Sequence, residues 1–491
     1  MNKQVCIVGL DLGTTSLKAV AYALDGGEIG SHSVLVETSR DEHGKAVQQP
    51  ESIFQAATDS LRQLASSLRE QGVQVASLGF SAAMHSLIPM DHQHQPLFPA
   101  MTWMDARPGE EAQNLWAADI GKDIYRRTGT PIHAMAPIAK IGWLRSHHPD
   151  IFAKASRFVS IKEYVWHRWF GRWEVDYAMA SATGLFDADT LTWYPPALEW
   201  AGIEERNLAT PVPLSYARLA EELLVDLDLP FAPDAKICIG GSDGVLATLA
   251  AGVMDGKSMI LTLGTSLALR MGLHRPHTDV VSRTFCYILD ESHYVLGGPS
   301  NSGGVVLDWL YRNVFTVDGE EFDKRFPVLC EEAGDVEPGD LFCLPYLSGE
   351  RAPLWDESAF GTFVGLKIHH RQVHLMRAAI EGMLFNAYWI AQTFTNALGK
   401  PDKLIVSGKL FQQGWVRQWI ADLFQLAVET QAEIDGATYG AALVAAKVAE
   451  LDLAPPALRQ GDVVQPREEH GPLLHARFNQ YRAWCERLGL I

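Results

Sequence analysis

Four residues near the start of the chain have the types and spacing of a phosphate site. Asp11, Gly13, Thr14 and Thr15 follow an apolar run at residues 5–10 and precede a second run at 17–23. The pattern predicts a β-hairpin with a carboxylate, a glycine and hydroxyls at its tip. A glycine lets the backbone approach a ligand closely, and threonine hydroxyls and turn N–H groups suit phosphate oxygens. Asp11 beside them suits the Mg²⁺ that accompanies a nucleotide. The same residues also build ordinary turns, so this tip alone leaves both readings open. A second copy shifts the balance. Residues 257–270 carry one apolar strand into Gly264-Thr265-Ser266 and another out of it. Two such hairpins, one early and one just past the midpoint, predict duplicated domains facing each other across a cleft, with a nucleotide between their turns.

Asp243 is the candidate proton acceptor. It stands where a buried strand (234–241) gives way to a helix (245–253), the edge at which α/β folds place ligands. A helix N-terminus stabilises a carboxylate anion by roughly 0.3–1 kcal/mol, which keeps it ready to take a proton from a hydroxyl. Aspartate is also a good N-cap; the flanking Gly241 and Gly244 favour the chemical role, because a plain cap needs no such close backbone access. An acceptor pocket is suggested by residues 81–86, with Met84 and His85, and by residues 102–107, with Asp105 and Arg107. Taken singly, His85 reads as a satisfied structural histidine and Asp105–Arg107 as a local ion pair. Taken together, in the half that carries Asp243, they form a polyol site.

These residues need elements to hold them, and the chain alternates strand and helix patterns. Residues 51–71 predict an amphipathic helix and 75–80 a strand. Residues 373–398 predict a long helix, 404–407 a strand and 415–427 a helix. Small residues at 435–447 predict a closely packed helix, and a Pro- and charge-rich tail after Leu453 turns helical near Leu473. A chain of 491 residues exceeds one hydrophobic core, and the division is placed at residues 1–245 and 246–491. The net charge of −18 argues against nucleic acid and anionic membranes as partners. Six scattered cysteines without metal-type spacing read as buried free thiols in a reducing cytoplasm, and no run has the length of a membrane span. A homodimer is compatible with the sequence.

The paired hairpins resemble the actin-like ATPase and sugar kinase superfamily from end to end. The likeness sharpens at residues 83–85, 103–107, 241–244, 264–266, Gly303-Gly304 before Trp309, and 346–355. With these the chain resembles the FGGY carbohydrate kinases and, through residues 127–137, 161–164, 175–177 and 180–182, their gluconokinase subgroup. The resemblance implies an α/β fold of two ribonuclease H-like domains flanking a deep cleft, Asp243 as general base and Asp11 at the metal. It implies ATP near Gly264, Thr265 and Gly303, with Gly408 and Gln413 in the loop after residue 406. In that loop Lys409 stands where the family usually has a second glycine. A sugar acid would need a cationic end, for which Arg107, His133 and Lys162 are candidates. The alternatives are a pentulose or polyol kinase such as xylulokinase, a sugar-binding regulator that has lost turnover, and a structural actin relative.

Overall fold

The computed structural model describes residues 4–315, 319–431, 435–455 and 463–491, so residues 456–462 of the Pro-rich tail lie outside the described residues. Two six-stranded sheets organise the chain. The first contains β1 (Val5–Leu12), β2 (Ser16–Ala23), β3 (Glu28–Leu35), β4 (Gln74–Ala82), β5 (Ala217–Leu219) and β6 (Phe231–Ser242), in the order β5-β6-β4-β1-β2-β3. The second contains β7 (Ser258–Leu263), β8 (Leu267–Leu273), β9 (Phe285–Asp290), β10 (His293–Ser300), β11 (Lys403–Ser407) and β12 (Ala427–Thr430), in the order β9-β10-β8-β7-β11-β12. Each sheet opens with an antiparallel hairpin, β1–β2 or β7–β8, and continues in parallel through β4 or β11. The duplicated hairpins expected from the sequence therefore occupy equivalent places in two copies of one architecture.

Helices make the crossovers that parallel strands require. In the first half these include α1 (Pro50–Glu70), α2 (Pro137–His147) and α3 (Ile161–Phe170), with α4 (Asp243–Ala250) following β6. In the second they include α5 (Gly304–Trp309), α6 (Gln372–Leu398), α7 (Gly414–Phe424), α8 (Gly436–Val448) and α9 (Gly471–Arg487). Helix α1 starts at Pro50, whose fixed φ suits the first turn. It buries Ile53, Phe54, Leu61, Leu64 and Leu68 against the first sheet, each worth about 1.5–3 kcal/mol of apolar burial. Helix α7 stops at Phe424, short of the expected 427, because Gln425 turns left-handed at φ 52° and the chain enters β12 beside β11.

One packing arrangement crosses the two halves. Helix α8, late in the sequence, lies on β1, β4 and α4 of the first half. Glycine makes this approach possible: a Cβ on Gly9 or Gly79 would stand 2.0 Å from the carbonyl oxygen of Thr438 or Ala441. On the other side, edge strand β9 bonds to the long segment between β4 and β6. Cys286 N–H donates to the Gly129 carbonyl at 2.8 Å, and Ile288 N–H donates to Ser181 Oγ at 3.1 Å. All six cysteines are buried free thiols, and among the described residues no helix is long and apolar enough to cross a membrane.

Candidate active site

The parallel register of β1 and β4 sets Asp11 beside Ser81, whose hydroxyl donates to Asp11 Oδ1 at 2.7 Å. Strand β6 delivers Asp243 to the first position of α4, where Oδ1 accepts the Gly244 N–H at 2.7 Å. The two carboxylates repel each other. Burial, then Asp243, then Asp435 push the Asp11 carboxyl up to about 8, against the Ser81 hydrogen bond and the charge of Lys162. Asp243 is also raised, by burial, with Arg270 the leading opposing influence. This reverses the direction expected from the helix N-terminus alone: removing water from a charge outweighs a dipole contribution of roughly 0.3–1 kcal/mol. The Asp11 carboxylate offers hard oxygen ligands of the kind Mg²⁺ takes alongside substrate phosphates, and a cation there would relieve the repulsion from Asp243, so the donor chemistry fits that ion. Asp435, the N-cap of α8 and ion-paired to Lys18 at 3.3 Å, adds a third negative charge from a distant stretch of sequence.

The two hairpin tips are shaped for close approach. A Cβ on Gly13 would sit 2.6 Å from the Ser16 carbonyl oxygen. The Thr14 backbone carbonyl accepts from Gln48 at 2.9 Å, and its hydroxyl accepts from the Trp103 indole at 3.3 Å, while Thr15 is exposed. On the second tip Gly264 and Thr265 are exposed, and Gly304 N–H donates to the Gly264 carbonyl at 2.8 Å. A Cβ on Gly303 would meet Ser266 at 2.4 Å, so this glycine lets the head of α5 join the tip. Gly408, at φ 128°, lies with its Cα against the Leu263 carbonyl, at the base of the same tip. Exposed Lys409 opens a short 3₁₀ turn, Lys409–Gln412, which Gln413 closes before α7.

The acceptor residues come together around Asp243, several of them already partnered. Met84 lies against Gly244, its Cε 3.1 Å from the place a Cβ would take. His85, with φ at 68°, is buried; its Nδ1–H donates to the Ala182 carbonyl at 2.9 Å and Nε2 accepts from Tyr287 across the halves at 3.2 Å. Asp105 is fully buried and holds Arg107 in a two-pronged pair at 2.8 and 2.5 Å, with the guanidinium 4.5 Å over the Trp143 ring. Lys162 is 2% exposed and spends its ammonium on Asp176 at 2.7 Å and the Gly241 carbonyl at 2.8 Å. Burial, then Arg351, Arg283 and Lys140, press His133 down to about 3, so its neutral ring donates to Glu357 at 3.1 Å. The three cations considered from sequence therefore carry no free charge toward a ligand here: one is neutral and two are paired.

Two family models match consecutively: the FGGY carbohydrate kinase N-terminal domain over residues 6–249 and its C-terminal domain over 259–449. The chain belongs to the FGGY family of carbohydrate kinases. It is 36% identical over 452 residues to a gluconokinase of Bacillus licheniformis, covering 89% of this chain and 86% of that one. Among solved structures it resembles a ligand-bound xylulose kinase of Lactobacillus acidophilus (TM-score 0.90, 30% identity, 99% and 98% covered). It also resembles a gluconate kinase from the same organism (TM-score 0.89, 31% identity, 99% and 98% covered). The family and the two-domain fold inferred from sequence are therefore established.

Sequence reasoning passed over several groups that the fold brings to this place. Arg270 in β8 lies against Gly244, and Arg351 lies 4.7 Å over the Trp103 ring. Lys140 in α2 donates to the carbonyls of Thr102 at 2.7 Å and of His85, binding both acceptor loops together. Arg351 was visible inside the recognised stretch 346–355; Arg270, midway along an apolar strand, gave only the anomaly of its charge.

Proposed function

We propose that this kinase transfers the γ-phosphoryl group of ATP to the C6 hydroxyl of D-gluconate, giving 6-phospho-D-gluconate and ADP. The observation that carries the chemistry is the partly buried Asp11–Asp243 pair at the end of β1 and the head of α4, in which Asp243 raises the Asp11 carboxyl. The acceptor reading rests on the gluconokinase and gluconate kinase likenesses. In this reading Asp243 accepts the hydroxyl proton while the oxygen bonds to phosphorus and the bond to the β-phosphate breaks. Thr14, Thr15, Gly264, Thr265 and Gly303 contact the phosphates, Gly408 and Gln413 line the nucleotide, and Met84 and His85 face the acceptor. Asp11 would hold Mg²⁺, which when bound neutralises charge on the triphosphate. The halves divide near residue 245, and closing them excludes water that would otherwise take the phosphoryl group. Buried free thiols support a reducing cytoplasm as the compartment.

The test is coupled ADP release across gluconate, xylulose, ribulose, glycerol and erythritol. Gluconate is expected to give the highest kcat/KM. Equal or better turnover of xylulose replaces this reading with a pentulose kinase, which the likeness to a xylulose kinase structure supports.

A further inference from the structure

We propose that Arg270 and Arg351, two arginines of the second half, form the carboxylate-reading end of the acceptor site. The inference rests on the gluconate reading above and names the groups that distinguish that acceptor from a neutral sugar. Arg351 is only 8% exposed, and the Nε of each guanidinium is buried without a hydrogen-bond partner among the described residues. Among the described residues neither forms an ion pair with a carboxylate. Glu350, next to Arg351, spends its oxygens on Ser300 at 2.8 Å, the Asn301 N–H at 2.7 Å and Ser302 at 2.6 Å. Arg351 also donates to the Ser300 carbonyl at 3.2 Å, and both arginines feel the Asp243 carboxylate, yet each keeps a buried Nε–H unused, a bond that an acceptor anion completes.

Position selects the acceptor over the phosphates. Arg270 stands four residues beyond Ser266 on an extended strand, about 13 Å from the second tip at ~3.3 Å per residue. Its guanidinium reaches Gly244, which Met84 also approaches, and Arg351 covers Trp103 on the acceptor side. A planar guanidinium fits a carboxylate through paired N–H donors. Because both arginines come from the second half while Met84, His85 and Trp103 come from the first, an acidic acceptor ties the halves together.

The experiment compares gluconate with D-glucitol, which carries CH₂OH in place of the carboxylate, as acceptors for wild type, Arg270→Gln, Arg351→Gln and the corresponding Lys variants. Wild type is expected to favour gluconate. Each Gln variant is expected to lower the gluconate-to-glucitol ratio of kcat/KM by roughly 10–100-fold, mostly through KM, with the Lys variants falling between. A Gln variant that keeps the ratio within about threefold, or that lowers kcat equally for both acceptors, overturns the proposal in favour of a phosphoryl-neutralising role. A wild type that prefers glucitol overturns the gluconate reading itself. The two arginines sit on separate elements, so one variant that folds is enough to decide.

Discussion

Replacing Asp243 with Asn separates chemistry from binding and from folding. The amide oxygen retains the bond to the Gly244 N–H, at 2.7 Å in this structure, and the side-chain volume is nearly unchanged. What disappears is the ability to accept a proton. General bases contribute about 10²–10⁴-fold, so kcat should fall by at least ~10²-fold, or about 2.7 kcal/mol of barrier at ~1.36 kcal/mol per decade. Stability should move the other way. Burial raises the Asp243 carboxyl above its ordinary range, so the folded state binds the proton more readily than the unfolded chain does. At neutral pH the ionised group therefore works against folding, and a neutral amide relieves that cost along with the repulsion felt by Asp11. The assay is single-turnover transfer from MgATP to gluconate beside a thermal melt at pH 7. A variant retaining more than about a tenth of wild-type kcat refutes the base assignment, since even the low end of the range for a general base is ~10²-fold. A large drop in melting temperature refutes the electrostatic account.

Two further substitutions probe neighbouring parts of the site. Lys162→Met should destabilise the protein by about 3–5 kcal/mol in denaturant titration, because it strands Asp176, fully buried, without its ion-pair partner; changing Asp176 to Asn in the same chain, which removes the stranded charge but keeps the oxygen that accepts the Met179 N–H, should recover part of that loss. Lys409→Gly should alter the calorimetric affinity for MgATP by less than about threefold (~0.6 kcal/mol), because the lysine is exposed at the start of its own 3₁₀ turn. A tenfold shift in either direction would show its ammonium reaching the nucleotide.

Periodicity and turn chemistry were local, and so they were legible. The alternation of apolar residues around Gly13 and Gly264 specified both hairpins, and a 3.6-residue apolar stripe from Ile53 to Leu68 specified α1, which the structure starts one residue earlier, at Pro50. Asp11 and Asp243 were readable because each ends a buried strand, and strand ends are where such folds expose side chains. The family itself followed from motifs carried in consecutive residues. Charge state and partnership belonged to the tertiary structure. No pattern in residues 161–164 says that Lys162 will spend its ammonium on Asp176 and the Gly241 carbonyl, or that His133 will be pressed neutral by burial, with Arg351 and Arg283 of the other half adding to it. Asp435 reaches Asp11 only because Gly9 and Gly79 admit α8 to the first sheet. Arg270 reaches Gly244 only because the second half folds against the first. Coulomb interactions and desolvation depend on distance through space and on excluded water, and both arise when segments hundreds of residues apart meet.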